Sequence, residues 1–341
     1  MNAAPKKILI LRFSSIGDIV LTTPVVRNLR KKFPDAEIHY CTKVGYKGLL
    51  NTNPNIDHVH VLEDSLKALI GRLKKERFDY IIDLHKNLKT RLIKLALRVP
   101  NKAFNKVNLQ KFLFVNFKIN RLPTIHIVDR YMATLQHWEI ENDNEGLDYF
   151  IPNRDEVERG WLPETHRAEY YAFAIGGQHF TKKLPVERMI ELCDRINKPI
   201  VLLGGKEDID AANEIERFFT PKESEYEEDE VQKKLNKKAI IFNGVGKFNL
   251  NQSASLIQQS KAVFTHDTGL MHIAAAFQKE IFSIWGNTSP YFGMYPYQTK
   301  FTIFENNAID CRPCSKIGYD KCPKGHFKCM KEVQFDFYLP D

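Results

Sequence analysis

The chain has 341 residues, 43% of them apolar and 27% charged, with a formal net charge of +8. That length exceeds one ordinary domain and suits two, and no apolar run reaches the about 18–20 residues that a membrane-spanning helix needs. The charge is lopsided: residues 1–130 carry 25 Lys/Arg against 10 Asp/Glu, a net of +15, and residues 131–341 carry 25 against 32, a net of −7.

Two lysines precede the first apolar run, Ile8–Phe13, but Arg12 and Asp18 interrupt it. The run therefore reads as a first strand rather than a signal peptide, and a cytoplasmic location is expected. It ends in a small-residue turn, Ser14-Ser15-Ile16-Gly17-Asp18. A helix is expected over 20–33, with Pro24 marking its early turn or a kink. Strands are expected near 37–41, 58–62 and 80–84, and a helix near 66–75. Between Leu84 and Val128 there is no acid and there are ten bases, from Lys86, Lys89 and Arg91 on to Arg121. A solvated helix face ordinarily mixes signs, so this field points to an anionic partner.

A polar, Pro-containing segment near 151–168 opens the second half. Strands are expected near 170–175, 200–203, 240–242, 262–265 and 281–285, with helices near 186–196, 211–219 and 252–260. An acid-rich insertion at 223–230 reads as a surface loop. Strands alternating with helices argue for parallel sheets built from βα units. Asp18, Gly176, Gly204 and Asp267 all fall just past strand ends, where open α/β sheets bind ligands. The turn Asp267-Thr268-Gly269 opens an Ala-rich helix. Free amides and the positive end of the helix dipole make it an anion site of a kind that suits a nucleotide diphosphate.

Four segments carry a family resemblance. The opening Arg12-Phe13-Ser14-Ser15-Ile16-Gly17-Asp18-Ile19-Val20-Leu21-Thr22-Thr23-Pro24 resembles the start of the ADP-heptose:lipopolysaccharide heptosyltransferases, glycosyltransferase family 9. Leu203-Gly204-Gly205-Lys206-Glu207-Asp208, then Asp267-Thr268-Gly269 with His272 and Ala274–Ala276, then Trp285-Gly286-Asn287-Thr288-Ser289-Pro290, resemble its later landmarks, in the family's order. The resemblance implies an α/β fold of the GT-B type: two Rossmann-like domains with parallel sheets facing a central cleft. Residues 1–160 would bind the acceptor, 161–310 the nucleotide sugar, and 311–341 would form a Cys-rich tail. It implies an inverting transfer of heptose from an ADP-heptose donor to an anionic lipopolysaccharide precursor, with no cofactor required for catalysis and peripheral contact with the inner membrane.

Asp18 matches the family's base, and it also stands where a helix cap stands; the two roles are compatible. Lys182 matches the phosphate-binding lysine, with Lys183 as its rival, and Thr181 is expected to add a hydroxyl contact. The amides of Thr268 and Gly269 would cradle the diphosphate, and a side chain at Gly269 would obstruct close approach. Asp267 would face sugar hydroxyls or backbone amides. His272 reads either as a phosphate contact or as a packing residue, and Glu207 either as a ribose ligand or as a helix-start acid. Lys86, Lys89 and Arg91 are the expected acceptor contacts.

Of six cysteines, Cys41 and Cys193 read as core residues. Cys311-x2-Cys314-x7-Cys322-x6-Cys329, with His326 nearby, reads either as a structural zinc knot or as packed thiols. Competing readings are a family sibling using another nucleotide sugar, a sugar-nucleotide epimerase on the same architecture, and a nucleic-acid-binding protein using the basic 86–121 stretch. No nucleic acid is expected, because that stretch lacks a recognised binding motif.

Overall fold

The structure is a computed structural model that describes residues 4–220 and 239–340. The acid-rich insertion at 223–230 lies outside the described residues. The chain divides into two compact units: the first runs to Asn108 and takes in Pro123–Phe150, and the second comprises Leu109–Leu122 and the chain from Ile151 onward.

The first unit is built from β1 (Lys7–Leu11), α1 (Ile16–Val20), α2 (Thr23–Lys32), β2 (Glu37–Lys43), β3 (His58–Leu62), α3 (Leu66–Glu76), β4 (Tyr80–Asp83), α4 (Leu88–Leu97) and β5 (Asn101–Ala103). The next helix, α5 (Asn108–Phe117), falls almost wholly in the second unit, and α6 (Ile127–Met132) returns to the first. The five strands are parallel in the order β3-β2-β1-β4-β5. Central β1 is buried on both faces, which is why Ile8–Leu11 reads as a continuous apolar run rather than an alternating one. The helix expected over 20–33 is α2, which starts at Thr23; the separate short α1 precedes it, the chain turns at Leu21–Thr22, and Pro24 sits in the first turn of α2, where its missing N–H costs nothing.

The second unit contains α7 (Glu164–Arg167), β6 (Tyr171–Ala174), α8 (Val186–Ile196), β7 (Pro199–Leu203), α9 (Ile209–Phe219), β8 (Ile240–Asn243), α10 (Leu250–Gln259), β9 (Ala262–His266), α11 (Gly269–Ala276), β10 (Glu280–Trp285), β11 (Phe301–Glu305) and α12 (Lys328–Lys331). Its six strands are parallel in the order β11-β10-β9-β6-β7-β8. Phe264 and Phe282 stack at 4.5 Å on neighbouring strands, and Phe337 of the tail packs edge-on against Phe264 at 5.2 Å. The tail is thus part of this unit's core.

Each sheet starts with its first strand inside, winds outward in one direction and then reverses. The reversal lies between β1 and β4 in the first unit, and between β6 and β9 in the second. Such a switch point splays the two following loops apart and leaves a crevice at the strands' carboxyl ends. Two sites are therefore expected from topology alone, one in each unit. No helix among the described residues is long and apolar enough to cross a membrane.

Candidate active site

In the first unit, the segment after β1 carries Asp18 on the one-and-a-half turns of α1. The Ser15 amide donates to Asp18 Oδ2 at 3.2 Å and the Ser15 hydroxyl at 3.0 Å, so the capping role is realised. The other carboxylate oxygen meets the Arg12 guanidinium at 2.5 Å. Arg12 was passed over in the sequence as a candidate, although a charge at the end of a buried strand requires a partner. Its guanidinium, only 8% exposed, donates to the carbonyls of Ser14 at 2.8 Å and Leu84 at 2.5 Å and to the Tyr131 hydroxyl at 2.9 Å. Burial disfavours the cation, but Asp18 and the neighbouring tyrosine oxygens more than offset it and leave the Arg12 pKa raised. A permanent cation thus joins the ends of β1 and β4 and aims one carboxylate, itself 21% exposed, at the switch point.

The loop after β4 forms the other wall. Asp83 is buried; its Oδ1 accepts the amides of His85 at 3.1 Å and Lys86 at 2.6 Å, and its Oδ2 pairs with Lys94 at 2.8 Å. This presents His85 beside Phe13, ring centroids 5.7 Å apart and edge-on. Burial, with Arg12 and Lys106 adding repulsion, pushes the His85 pKa down to about 4, so the ring is neutral. Its Nδ1 is buried with no partner among the described residues. Lys86, Lys89 and Arg91 are exposed, the last two on α4. Lys89 also lines a recess of about 540 Å³ with Lys43, Tyr46, Leu62, Glu63 and Asp64.

The basic stretch is not one surface of the first unit. Lys94 is spent on Asp83, and α5 belongs to the second unit, where Lys118 donates to the carbonyls of Cys311 at 3.0 Å and Pro313 at 2.8 Å.

In the second unit, β9 ends in Asp267 and α11 begins at Gly269. Thr268, the residue before the helix, is extended and makes no side-chain cap, so the first-turn amides remain for a ligand. Lys182 Nζ pairs with Asp267 Oδ2 at 2.7 Å and also reaches the Asp267 carbonyl at 3.1 Å. The Thr288 hydroxyl donates to the same carboxylate at 3.0 Å. Asp267 thus gathers the lysine and the fourth landmark around one turn.

Lys183 has a different partner. It pairs at 2.9 Å with Asp208, which is 2% exposed and accepts the Gly205 amide at 3.1 Å through its other oxygen. Asp208 packs so closely on Gly176 that a Cβ there would lie 2.6 Å from its Oδ2, which fixes glycine at that position. Asp208 was missed in the sequence beside Glu207, which is exposed. The Thr181 hydroxyl, an expected ligand contact, has a partner within the chain. Thr181 is 1% exposed. Its hydroxyl donates to the Tyr319 carbonyl at 3.1 Å and accepts the Tyr319 amide at 2.8 Å, so it fastens the tail. His272 is buried on α11, 2% exposed.

The tail braces this site from the other side. Arg312, its side chain 5% exposed, donates to the carbonyls of Gly286 at 2.5 Å and Thr288 at 3.2 Å and pairs with Glu305 at 2.8 Å. The Asn287 carbonyl accepts the Cys314 amide at 2.9 Å. A Cβ at Gly286 would lie 2.6 Å from the Thr181 carbonyl, so the tail, the lysine loop and the fourth landmark are packed against one another. Cys41 and Cys193 are core residues, fully buried, and burial pushes the Cys41 thiol up to about 12. In the tail, burial and the neighbouring thiols push Cys314 up to about 11; burial likewise pushes Cys329 up to about 12. Cys314 donates to the Cys311 carbonyl at 3.0 Å, Cys311 Sγ lies 3.7 Å from His326 Nε2, and no three of the tail's sulfurs come within 4.8 Å of one another.

Comparison with known proteins identifies the family and the fold. The lipopolysaccharide core heptosyltransferase OpsX of Haemophilus influenzae is 23% identical, covering 98% of this chain and 95% of its own. The lipopolysaccharide heptosyltransferase 2 of Escherichia coli is 24% identical, covering 84% of each. Among solved structures, a glycosyltransferase family 9 protein from Veillonella parvula superposes with a TM-score of 0.67 at 24% identity, over 87% of this chain and 85% of that one. The E. coli ADP-heptose heptosyltransferase II superposes with a TM-score of 0.65 at 21% identity, over 96% and 98%. These neighbours share the α/β, GT-B-type fold. The profile of glycosyltransferase family 9 (heptosyltransferase) matches residues 66–323, and the chain belongs to that family and is a glycosyltransferase.

Proposed function

We propose that this glycosyltransferase moves a heptose from ADP-heptose to the inner core of a lipopolysaccharide precursor, with inversion at the anomeric carbon. Asp18 takes the proton of the attacking acceptor hydroxyl as the new glycosidic bond forms. The bond between the anomeric carbon and the diphosphate oxygen breaks through an oxocarbenium-like transition state, and ADP leaves with the electron pair. The observation that carries the reading is the Arg12–Asp18–Ser15 assembly at the first switch point. A carboxylate held by a fixed cation and a backbone amide is oriented before substrate arrives, as a base must be.

On the donor side, Lys182 exchanges Asp267 for the diphosphate, while the amides of Thr268 and Gly269 face the charge that grows on the leaving oxygen. Asp267, still bonded to Thr288, is left to accept from sugar hydroxyls. Glu207, exposed in the turn just before α9, is the proposed ribose contact. His272 has the packing role, in keeping with its burial. His85, neutral with an open Nδ1, is added to Lys86, Lys89 and Arg91 as an acceptor contact.

We further propose peripheral contact with an anionic membrane through α4. Leu88, Leu92 and Leu95 fall on one helical face and are 71%, 43% and 62% exposed, flanked by Lys89, Arg91 and Arg98. An apolar stripe with a basic rim suits a lipid headgroup layer. Liposome sedimentation tests it: Leu88→Ser with Leu95→Ser should release the protein from anionic vesicles, and unchanged binding would refute the contact.

The tail's four thiols are proposed to hold a structural zinc, outside the reaction itself. Their donor chemistry suits zinc. The sulfurs would have to lose their protons and draw together to about 3.8 Å. One equivalent of zinc lost in Cys314→Ser supports this; no zinc in the native protein leaves the tail as packed thiols.

The donor is tested by thermal-shift measurement against ADP, UDP, GDP and CMP. A preference for ADP supports the reading. A preference for UDP, GDP or CMP favours a sibling using another nucleotide sugar.

A further inference from the structure

The outer edge of the first unit's sheet carries a group of residues that the transfer reaction does not use. Strand periodicity puts Glu37, His39 and Cys41 of β2 on one face, and His58 and His60 of β3 on the same face. The register sets His39 beside His58 and Cys41 beside His60. The result is three imidazoles and a carboxylate in one cluster. His39 lies 4.6 Å from the His58 ring and side by side with His60, ring centroids 5.1 Å apart and planes 9° apart, and Phe78 closes the cluster edge-on at 4.9 Å from His39.

We propose that Glu37, His39 and His58 form a binding site for a borderline divalent cation of the zinc, cobalt or nickel type. Glu37 Oε2 lies 3.2 Å from His39 Nε2 and 3.9 Å from His58 Nε2, and the three ligand atoms all lie within 4.8 Å of one another. Donors about 2.1 Å from a tetrahedral metal stand about 3.4 Å apart, so the cluster needs little movement. The imidazole-and-carboxylate donor set selects this class of cation over calcium or magnesium.

A second observation supports the site. His39 is 1% exposed, and its Nδ1 lies 2.8 Å from His60 Nε2. Metal-binding histidines characteristically donate their other ring N–H to a fixed acceptor, which sets the tautomer. With Nδ1–H donated to His60, the Nε2 lone pair of His39 points to Glu37 and His58. The competing group is Lys7, whose ammonium lies 2.8 Å from Glu37 Oε2. A cation displaces it toward Glu76, already 3.6 Å away. Glu37 and His58 are 45% and 56% exposed, so the site opens to solvent and a fourth position is left for water. Occupancy would tie edge strand β3 to β2.

The test is titration of chelator-treated full-length protein with Co²⁺ and with Zn²⁺. In Cys311→Ser with Cys314→Ser, which lacks two of the tail thiols, the expected result is one equivalent of Co²⁺ with a tetrahedral ligand-field spectrum free of thiolate charge transfer; any thiolate-bound Co²⁺ in the native chain is a separate equivalent that this double variant removes. His58→Ala, at an exposed position, should melt as the native chain does and bind about 100-fold more weakly or worse. His60→Ala should lose about 10–100-fold in affinity through the tautomer alone. Equal binding in native protein and His58→Ala overturns the site, as does a purely thiolate spectrum or no Co²⁺ uptake. Transfer activity is not read, so failure here leaves the glycosyltransferase reading intact.

Discussion

Adjacent lysines at 182 and 183 should fail in opposite ways. Lys183→Met strips the partner from Asp208, a carboxylate 2% exposed whose remaining bond is to the Gly205 amide. An uncompensated buried charge of this kind costs about 3–5 kcal/mol. At about 2–4 °C per kcal/mol for a domain of this size, the melting temperature of the second unit should fall by about 6–20 °C. Lys182→Met leaves Asp267 12% exposed and still bonded to Thr288, so the fold should lose far less. It removes the cation proposed to meet the diphosphate and leaves the Asp267 carboxylate in its place. Charge-assisted hydrogen bonds are worth about 1.5–3 kcal/mol, so ADP affinity should fall by about 10–100-fold. Calorimetric titration with ADP and thermal melts of both variants decide the matter. If Lys183→Met melts normally but loses ADP, while Lys182→Met binds ADP as before, the assignment is inverted.

Asp18→Asn keeps the shape of the Arg12–Ser15 assembly but removes the base, so kcat should drop by about 10²–10⁴-fold while ADP binding is unchanged; parallel loss of both would make Asp18 structural. Arg312→Met leaves the Gly286 and Thr288 carbonyls and Glu305 without their donor. It should lower the second unit's stability by about 3 kcal/mol and weaken ADP binding, although Arg312 is placed on the far side of the Thr288 loop; unaltered ADP affinity would show that the tail does not position Thr288. His266 is fully buried, accepts the Leu184 amide at 3.0 Å, and has its pKa pushed down to about 4 by burial. The folded state therefore binds fewer protons than the unfolded one between about pH 6.5 and 4, so its contribution is full above about 6.5 and is lost as pH falls, about 3 kcal/mol in all. His266→Gln should flatten that slope in denaturant melts, and an unchanged slope would contradict it. Lys89→Glu with Arg91→Glu should raise KM for an anionic acceptor and weaken its salt dependence; unchanged acceptor kinetics would remove these residues from the acceptor site.

What was legible in the sequence follows from burial. Strands β1, β4, β6, β7 and β9 lie inside their sheets, and apolar runs of three to six residues announce them. Edge strands β5 and β11 were not foreseen: Asn101–Ala103 is short, and Asn101 and Lys102 are exposed, so no apolar pattern forms. The break between α1 and α2 was hidden because Val20, Leu21, Val25 and Val26 are apolar on both sides of it. Asp267 could be named because it directly follows a strand and opens a helix, Asp18 because it stands in the turn after the first strand and matches the family's opening landmark, and Lys182 because it matches the family's lysine. The groups that hold them could not. Arg12 meets Tyr131 across 119 positions, Thr181 meets Tyr319 across 138, and Arg312 reaches Gly286 across 26. Nothing local in the chain encodes such pairings; they exist only once the sheets are wound.

The central claim is that Asp18 is the base of a heptose transfer from ADP-heptose. Native protein and Asp18→Asn should be incubated with ADP-heptose and a heptose-free lipopolysaccharide core precursor, with product followed by mass spectrometry and anomeric proton resonances. The account predicts one heptose added with inverted configuration and ADP released in equal amount by the native protein, and product formed about 10²–10⁴-fold more slowly by a variant that still binds donor. Retained configuration, or full turnover by Asp18→Asn, would contradict it.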